Sequence, residues 1–126
     1  FTVEVMLEEV ANVFAVKAVL TFDPAKLQVN QIEVYEDARS LLKANGGTVI
    51  PFSRYDNAAG SATIEVATAT GDPPGVDGTG AVAKVTFSAA STGSSLISFT
   101  ISSALRDPEN VDITLSDLAD AVVEVQ

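Results

Sequence analysis

Residues 1–29, FTVEVMLEEVANVFAVKAVLTFDPAKLQV, decide the fold because apolar and polar residues alternate in two successive runs. The second run has an apolar residue at every second position: Phe14, Val16, Ala18, Leu20 and Phe22. Successive side chains of a β-strand point to opposite faces, so this pattern predicts two strands that each bury one side. Asp23-Pro24 then ends the second run, because proline lacks the N–H that a strand ladder needs.

The same alternation recurs along the rest of the chain. It is visible in residues 61–66, 83–88, 97–101 and 123–125. Turn-forming residues separate these segments, as in Asn45-Gly46-Gly47 and Ser91-Thr92-Gly93. Many short strands between glycine-rich turns predict a single all-β domain over residues 1–126, an antiparallel β-sandwich or jelly roll.

Two segments depart from the strand pattern. Residues 36–44 (EDARSLLKA) predict a short helix or an ordered loop, with Leu41 and Leu42 on its buried side and Asn45-Gly46 as its end. Residues 71–80 (GDPPGVDGTG) lack the Gly-Lys-Ser/Thr ending of a phosphate-binding loop. With two prolines, this second segment is interpreted as a stiff connector.

The charged residues narrow the possible functions. The chain has 17 acidic and 7 basic residues, no His and no Cys, and a net charge of −10. A negative field repels phosphate, so nucleic acid and anionic membranes are poor partners. Without His and Cys there is no Ser-His-Asp or Cys-His catalysis and no thiolate zinc site. No apolar run approaches the ~20 residues of a membrane helix, which predicts no membrane insertion. We therefore expect no enzyme and no cofactor.

The C-terminal third contains a group of acidic residues that raises the question of a metal site. Its members are Asp107, Glu109, Asp112, Asp117 and Asp120. Calcium takes 6–8 oxygen ligands, but this spacing does not follow the EF-hand loop. We interpret the group as solvated loop charges and predict no metal site.

The outward side of the second strand is the strongest candidate for a binding surface. Its residues are small or medium-sized and mostly uncharged: Ala15, Lys17, Val19 and Thr21. Lys84 and Thr86 on a later strand have similar character. A flat, weakly polar sheet face suits a protein partner, although an ordinary solvated face is an equal alternative from composition.

Carbohydrate binding is the main rival function for a small β-sandwich. Sugars stack on exposed flat aromatic side chains. The chain has no Trp, its two tyrosines (Tyr35 and Tyr55) lie in different segments, and we expect most of its phenylalanines on the buried side of their strands. Carbohydrate is therefore an unlikely ligand. A carbohydrate-binding module and a structural cell-surface or adhesin module both stay open as alternatives.

Several motifs follow one another in a fixed order along nearly the whole chain. Phe22-Asp23-Pro24 with Leu27 ends the second strand. Residues 62–71 (ATIEVATATG) and 80–89 (GAVAKVTFSA) follow as later strands, and Asp107-Pro108 with the closing residues 122–125 completes the set. This ordered set resembles that of a cohesin domain.

This resemblance implies a nine-stranded jelly roll that acts as a non-catalytic interaction module. The implied partner is a dockerin, a small calcium-bearing helical module, bound across one sheet face. The implied setting is an extracellular or cell-surface scaffoldin, as in the polysaccharide-degrading cellulosome. By position, Ala15 and Lys17 match polar recognition residues of the family, and Tyr55 or Asp56 lies near a second contact. Thr68 stands near the position where the family has an acidic residue that receives dockerin hydrogen bonds, a charge that threonine lacks.

Overall fold

The computed structural model describes residues 1–100, 103–114 and 121–125, the last five as backbone. Within them the chain forms two packed sheets in which every strand pairing is antiparallel. This confirms the all-β sandwich prediction. Ile101 of the predicted strands and Asp117 and Asp120 of the acidic group lie outside the described residues.

The structure describes ten strands. In chain order they are β1 (Thr2–Val13), β2 (Ala15–Thr21), β3 (Leu27–Val34), β4 (Thr48–Asp56), β5 (Ser61–Ala69), β6 (Val76–Ala89), β7 (Gly93–Phe99), β8 (Ala104–Arg106), β9 (Asp112–Ile113) and β10 (Ala121–Val125). The smaller sheet has the order β1-β6-β3 and the larger sheet β10-β7-β2-β5-β4. The short strand β8 pairs with β2 and with β9. No helix among the described residues is long and apolar enough to cross a membrane.

The core lies between the two sheets and is built from the inward half of each alternating strand. Val16, Ala18 and Leu20 of β2 are all buried, as the sequence pattern predicts. Phe87 of β6 is 1% exposed and packs edge-on against Phe22, with ring centroids 5.4 Å apart. Burying such side chains is the main favourable contribution to folding, about 1.5–3 kcal/mol for each large one.

The predicted connector over residues 71–80 is wrong in its second half. Strand β6 begins at Val76, which pairs with Val13, and Gly80 pairs with Leu7. Leu41 packs directly against Gly80, since a Cβ atom added at Gly80 would lie only 3.2 Å from the Cβ of Leu41. The glycines that suggest a loop therefore provide room for a neighbouring segment to pack on the strand.

That neighbouring segment is the predicted helix or ordered loop over residues 36–44. Only Leu41–Lys43 form a helix, a single 3-10 turn. Ser40 caps it, because its Oγ accepts the N–H of Leu42 at 3.2 Å. Leu42 is fully buried in the core, and Leu41 is partly buried against it. The turn therefore anchors this segment to the sandwich by leucines, as predicted.

Candidate partner-binding face

The outward side of the larger sheet forms a regular grid, which we call the β2 face. Strand pairing aligns its side chains in rows across β4, β5, β2 and β8. The first row is Ile50, Ala67, Ala15 and Arg106; the second is Phe52, Glu65, Lys17 and Ala104; the third is Arg54, Thr63 and Val19. The face is therefore flat and continuous over four strands.

The edge of this face on β4 is strongly apolar. Ile50 is 56% exposed and Phe52 is 50% exposed. Next to them lie the small side chains of Ala67 and Ala15, which leave a shallow depression bordered on its far side by Arg106. Large apolar side chains exposed together beside a depression are typical of a surface that another molecule covers.

The middle of the β2 face holds charges without partners. Lys17 and Glu65 lie opposite each other in the strand register, yet neither forms an ion pair or side-chain hydrogen bond among the described residues. The same is true of Arg54. By contrast, Arg106 at the border is bound to Asp112 at 3.3 Å. The unpaired charges are free to bind complementary groups of a partner.

Five of the predicted site residues lie on this face. Ala15, Lys17, Val19 and Thr21 form the β2 column, with Lys17 and Thr21 exposed and the other two half-buried. Asp56 also lies on this side, opposite Ser61. Its carboxylate accepts the N–H groups of Ala58 and Ala59 at 2.9 and 3.1 Å, so it closes the β4–β5 turn.

Two predicted residues point away from the face because strand neighbours alternate. Thr68 is 0% exposed and lies on the core side of β5, where its hydroxyl donates to Asn45 Oδ1 at 3.1 Å. Its prediction as a contact residue is corrected to a structural role. Tyr55 is 46% exposed but lies opposite the buried Ala62, on the other side of β4 from Phe52.

Lys84 and Thr86 lie on the opposite surface of the sandwich. Both belong to β6 of the smaller sheet, where they pair with Glu4 and Thr2. Two sheets and the core separate them from Ala15. Their prediction as part of one binding surface with the β2 residues is therefore corrected, since alternation alone does not tell which sheet a strand joins.

The residues that sequence reasoning missed are Ile50, Phe52 and Arg54. Strand β4 (TVIPFSRYD) contains Pro51 and several polar residues, and its exposed inner side hides the alternation. The spacing of Ile50 and Phe52 two residues apart, after the Asn45-Gly46 turn, is the signal that could have identified them.

Charged residues on the outer surface of the smaller sheet form ion pairs with one another. Arg39 binds Asp37 and Glu33, each at 3.0 Å, and Lys84 binds Glu33 at 3.3 Å. Hydrogen bonds from Arg39, and secondly from Lys84, hold the pKa of Glu33 below its ordinary value. Arg39 likewise lowers the pKa of Asp37. Lowered carboxyl pKa values are the reverse of what a general acid needs at neutral pH.

Tyr35 anchors this same network, which we call the Arg39 latch (Glu4, Glu33, Tyr35, Asp37, Arg39 and Lys84). Its hydroxyl donates to Glu4 Oε2 at 2.9 Å, and the Arg39 guanidinium lies 4.4 Å from its ring centroid. Burial, and then the hydrogen bond to Glu4, raise the pKa of Tyr35. The latch thus covers the ring of Tyr35, whereas the ring of Phe52 on the β2 face is half exposed.

The described part of the acidic C-terminal group serves the local backbone. Asp107 Oδ1 accepts the N–H groups of Glu109 and Val111 at 2.9 and 3.0 Å, and Asp112 binds Arg106. Among residues 1–100 and 103–114, no three acidic side chains are grouped to hold a metal ion.

Fold and face together define a small two-sheet β-sandwich with one flat, partly apolar sheet surface whose central charges are unpaired among the described residues. The family profile described as "Cohesin domain" matches residues 1–125, and the chain belongs to the cohesin family. The family resemblance seen in the sequence is thereby confirmed. No curated protein sequence matches the chain.

Several solved cohesins share this fold. The type II cohesin dyad of the adaptor scaffoldin ScaA from Acetivibrio cellulolyticus is 21% identical, with a TM-score of 0.77 over 99% of this chain and 43% of that chain. The third cohesin of ScaC from the same organism, in complex with the ScaB dockerin, is 18% identical, with a TM-score of 0.78 over 99% and 87%. CaCohA2 from Clostridium acetobutylicum is 17% identical, with a TM-score of 0.73 over 99% and 80%.

Proposed function

We propose that this chain is a non-catalytic receptor module that binds a calcium-loaded dockerin through its β2 face. The observation that carries the proposal is the exposed pair Ile50 and Phe52 beside the unpaired charges of Lys17, Arg54 and Glu65. Apolar anchors supply most of the binding energy of an interface, and charges around them set specificity. Family membership and neighbours solved as cohesin–dockerin complexes support the choice of partner.

Further observations favour a binding role over catalysis. The sequence has neither His nor Cys, and the carboxyl groups with displaced pKa values belong to the Arg39 latch and are displaced downward. We also propose an extracellular or cell-surface setting, which the scaffoldin origin of several neighbours supports. The exposed aromatics Phe52 and Tyr55 lie on opposite sides of β4, so they form no planar strip for a sugar.

Binding to a panel of purified dockerins from the same genome, measured by isothermal titration calorimetry with calcium, tests the proposal. We expect at least one tight complex, and we expect a chelator to abolish it while this domain stays folded, because the calcium belongs to the dockerin. The double variant Val19→Asp/Thr21→Asp should weaken the complex without unfolding the domain. Unchanged binding by that variant would refute the face assignment, and retention on insoluble polysaccharide without any dockerin binding would refute the function.

A further inference from the structure

The outer edge of β4 is free of any strand partner among the described residues. β4 ends the larger sheet and pairs only with β5, along nine consecutive residues and without a register shift. A long, regular and partly apolar edge strand is a template for pairing with another chain. Such an edge has to be protected if the protein is to stay monomeric.

The two edge strands of the smaller sheet, β1 and β3, are protected by irregularities. β1 has register shifts around Val10, where Glu9 and Asn12 adopt positive φ angles of 50° and 56°. β3 has a register shift between Val29 and Gln31. Bulges of this kind twist an edge out of alignment with a second strand. β4 has no such irregularity, so its protection has to come from another feature.

The direction of the backbone at Pro51 follows from the hydrogen bonds of β5. The N–H of Thr68 donates to the carbonyl of Phe14, the residue just before β2, at 3.0 Å. Thr68 therefore points its backbone groups toward β2, and so does Val66 two residues away. Pro51 lies opposite Val66. In an antiparallel pair of this type, the partner residue directs its backbone nitrogen and carbonyl away from the shared ladder, so those of Pro51 face the free edge.

We propose that Pro51 is a gatekeeper that keeps the free edge of β4 from pairing with the same edge of a second copy of this chain. The residues whose backbone groups face this edge are Val49, Pro51, Ser53 and Tyr55. Any antiparallel β4–β4 contact across the middle of the strand would place Pro51 of both copies at hydrogen-bonded positions. There proline offers no donor, and its ring carbon occupies the place of the missing hydrogen.

A second copy is the occupant that the strand itself would favour. In the symmetric register centred on Ser53, Phe52 lies opposite Arg54 of the other copy on the outward side. A guanidinium beside an aromatic ring is a favourable pair. In that register Pro51 lies opposite Tyr55 of the other copy, and each proline leaves one carbonyl without a donor. Pro51 is therefore the residue that disfavours pairing of two β4 edges whose other side chains match well.

Replacing Pro51 with Val tests the gatekeeper by sedimentation velocity over a concentration series. Val restores the donor and is a good strand residue, so we expect Pro51→Val to fold and to self-associate at least about tenfold more tightly than the unchanged protein. The double variant Pro51→Val/Ser53→Pro moves the proline two residues along the same edge and should be monomeric again. A Pro51→Val protein that associates no more than the unchanged protein would overturn the proposal.

Hydrogen exchange of the unchanged protein tests the backbone geometry without any substitution. We expect fast exchange at the Ser53 and Tyr55 amides, which face the free edge, and slow exchange at Phe52 and Arg54, which face β5. Equal protection of all four amides would contradict the assignment of the edge. Dockerin binding plays no part in either experiment, so failure here leaves the proposed function untouched.

Discussion

The two outer surfaces of the sandwich use similar residues in opposite ways. On the smaller sheet, Arg39, Glu33 and Lys84 bind one another and cover the ring of Tyr35. On the larger sheet, Lys17 and Glu65 lie in matched positions and stay unpaired, beside an exposed Phe52. A surface whose charges and aromatics satisfy one another gains little from a partner, whereas one that leaves them open has interactions to offer.

The sharpest way to break this comparison is to damage the apolar part of each surface equally. Phe52→Asp should weaken dockerin binding by about 100-fold or more, because a large apolar anchor of an interface is a typical hot spot. Met6→Asp is the matched control, since Met6 is 46% exposed on β1 of the smaller sheet and should leave binding unchanged. Calorimetric titration of both variants, with thermal unfolding to check the fold, gives the result. Equal losses in the two variants would remove the distinction between the surfaces.

Reversing the open charges tests whether they serve a partner or each other. Lys17→Glu and Glu65→Lys should each weaken binding by about tenfold, with a smaller effect at high salt. The swapped double variant keeps both charges on the face but exchanges their places. If the partner contacts each of the two charges separately, the swapped double variant should bind as weakly as the single variants. Recovery of full affinity in the swapped protein would mean that the two residues act only on one another.

Thr68 distinguishes a structural role from a binding role. Thr68→Val removes the hydrogen bond from the Thr68 hydroxyl to Asn45 Oδ1. Asn45 Oδ1 also accepts the N–H of Gly47 at 3.0 Å, and the variant keeps this bond, so only one hydrogen bond is lost. We expect a loss of about 1 kcal/mol in the free energy of unfolding, the usual contribution of one such bond. Denaturant unfolding measures this loss, and dockerin affinity should not change. A drop in affinity with normal stability would return Thr68 to the binding residues.

Much of the fold follows from the sequence, because burial imposes a period of two. The inward residues Val16, Ala18 and Leu20 of β2 were predictable in this way, as was the turn that buries Leu42. The candidate site was predictable in part. The β2 column from Ala15 to Thr21 could be derived from one strand.

What the sequence does not reveal is which strands become neighbours. Lys84 and Lys17 have similar local patterns, yet long-range pairing places them in different sheets. Thr68 was misplaced because its role came from the family resemblance, whereas the alternation of the preceding residues of β5 already puts position 68 on the core side. Phe52 was missed because β4, at the sheet edge, is exposed on both sides along Ile50–Asp56, so no alternation marks its outward residues.

The smallest expected effect is the loss of stability of the Arg39 latch at acidic pH. Because Arg39 and Lys84 lower the pKa of Glu33 from 4.5, and Arg39 that of Asp37 from 3.8, the latch contributes stability above these ordinary values. That contribution is lost as the pH falls through the lowered values in the folded protein. Carboxyl carbon chemical shifts followed by NMR should show both pKa values lowered, and Arg39→Gln should raise the pKa of Asp37 toward its usual range, since the side-chain hydrogen bond is lost and the backbone N–H of residue 39 still donates to it. Ordinary pKa values for Glu33 and Asp37 in the unchanged protein would contradict the latch.

Chemical-shift mapping of the labelled domain against its dockerin tests the central claim most directly. The account predicts that amide shifts concentrate on β4, β5, β2 and β8, with the largest changes around Phe52 and Lys17, while β1, β6 and β3 stay constant. Shifts concentrated on the smaller sheet around Lys84 and Met6 would contradict it.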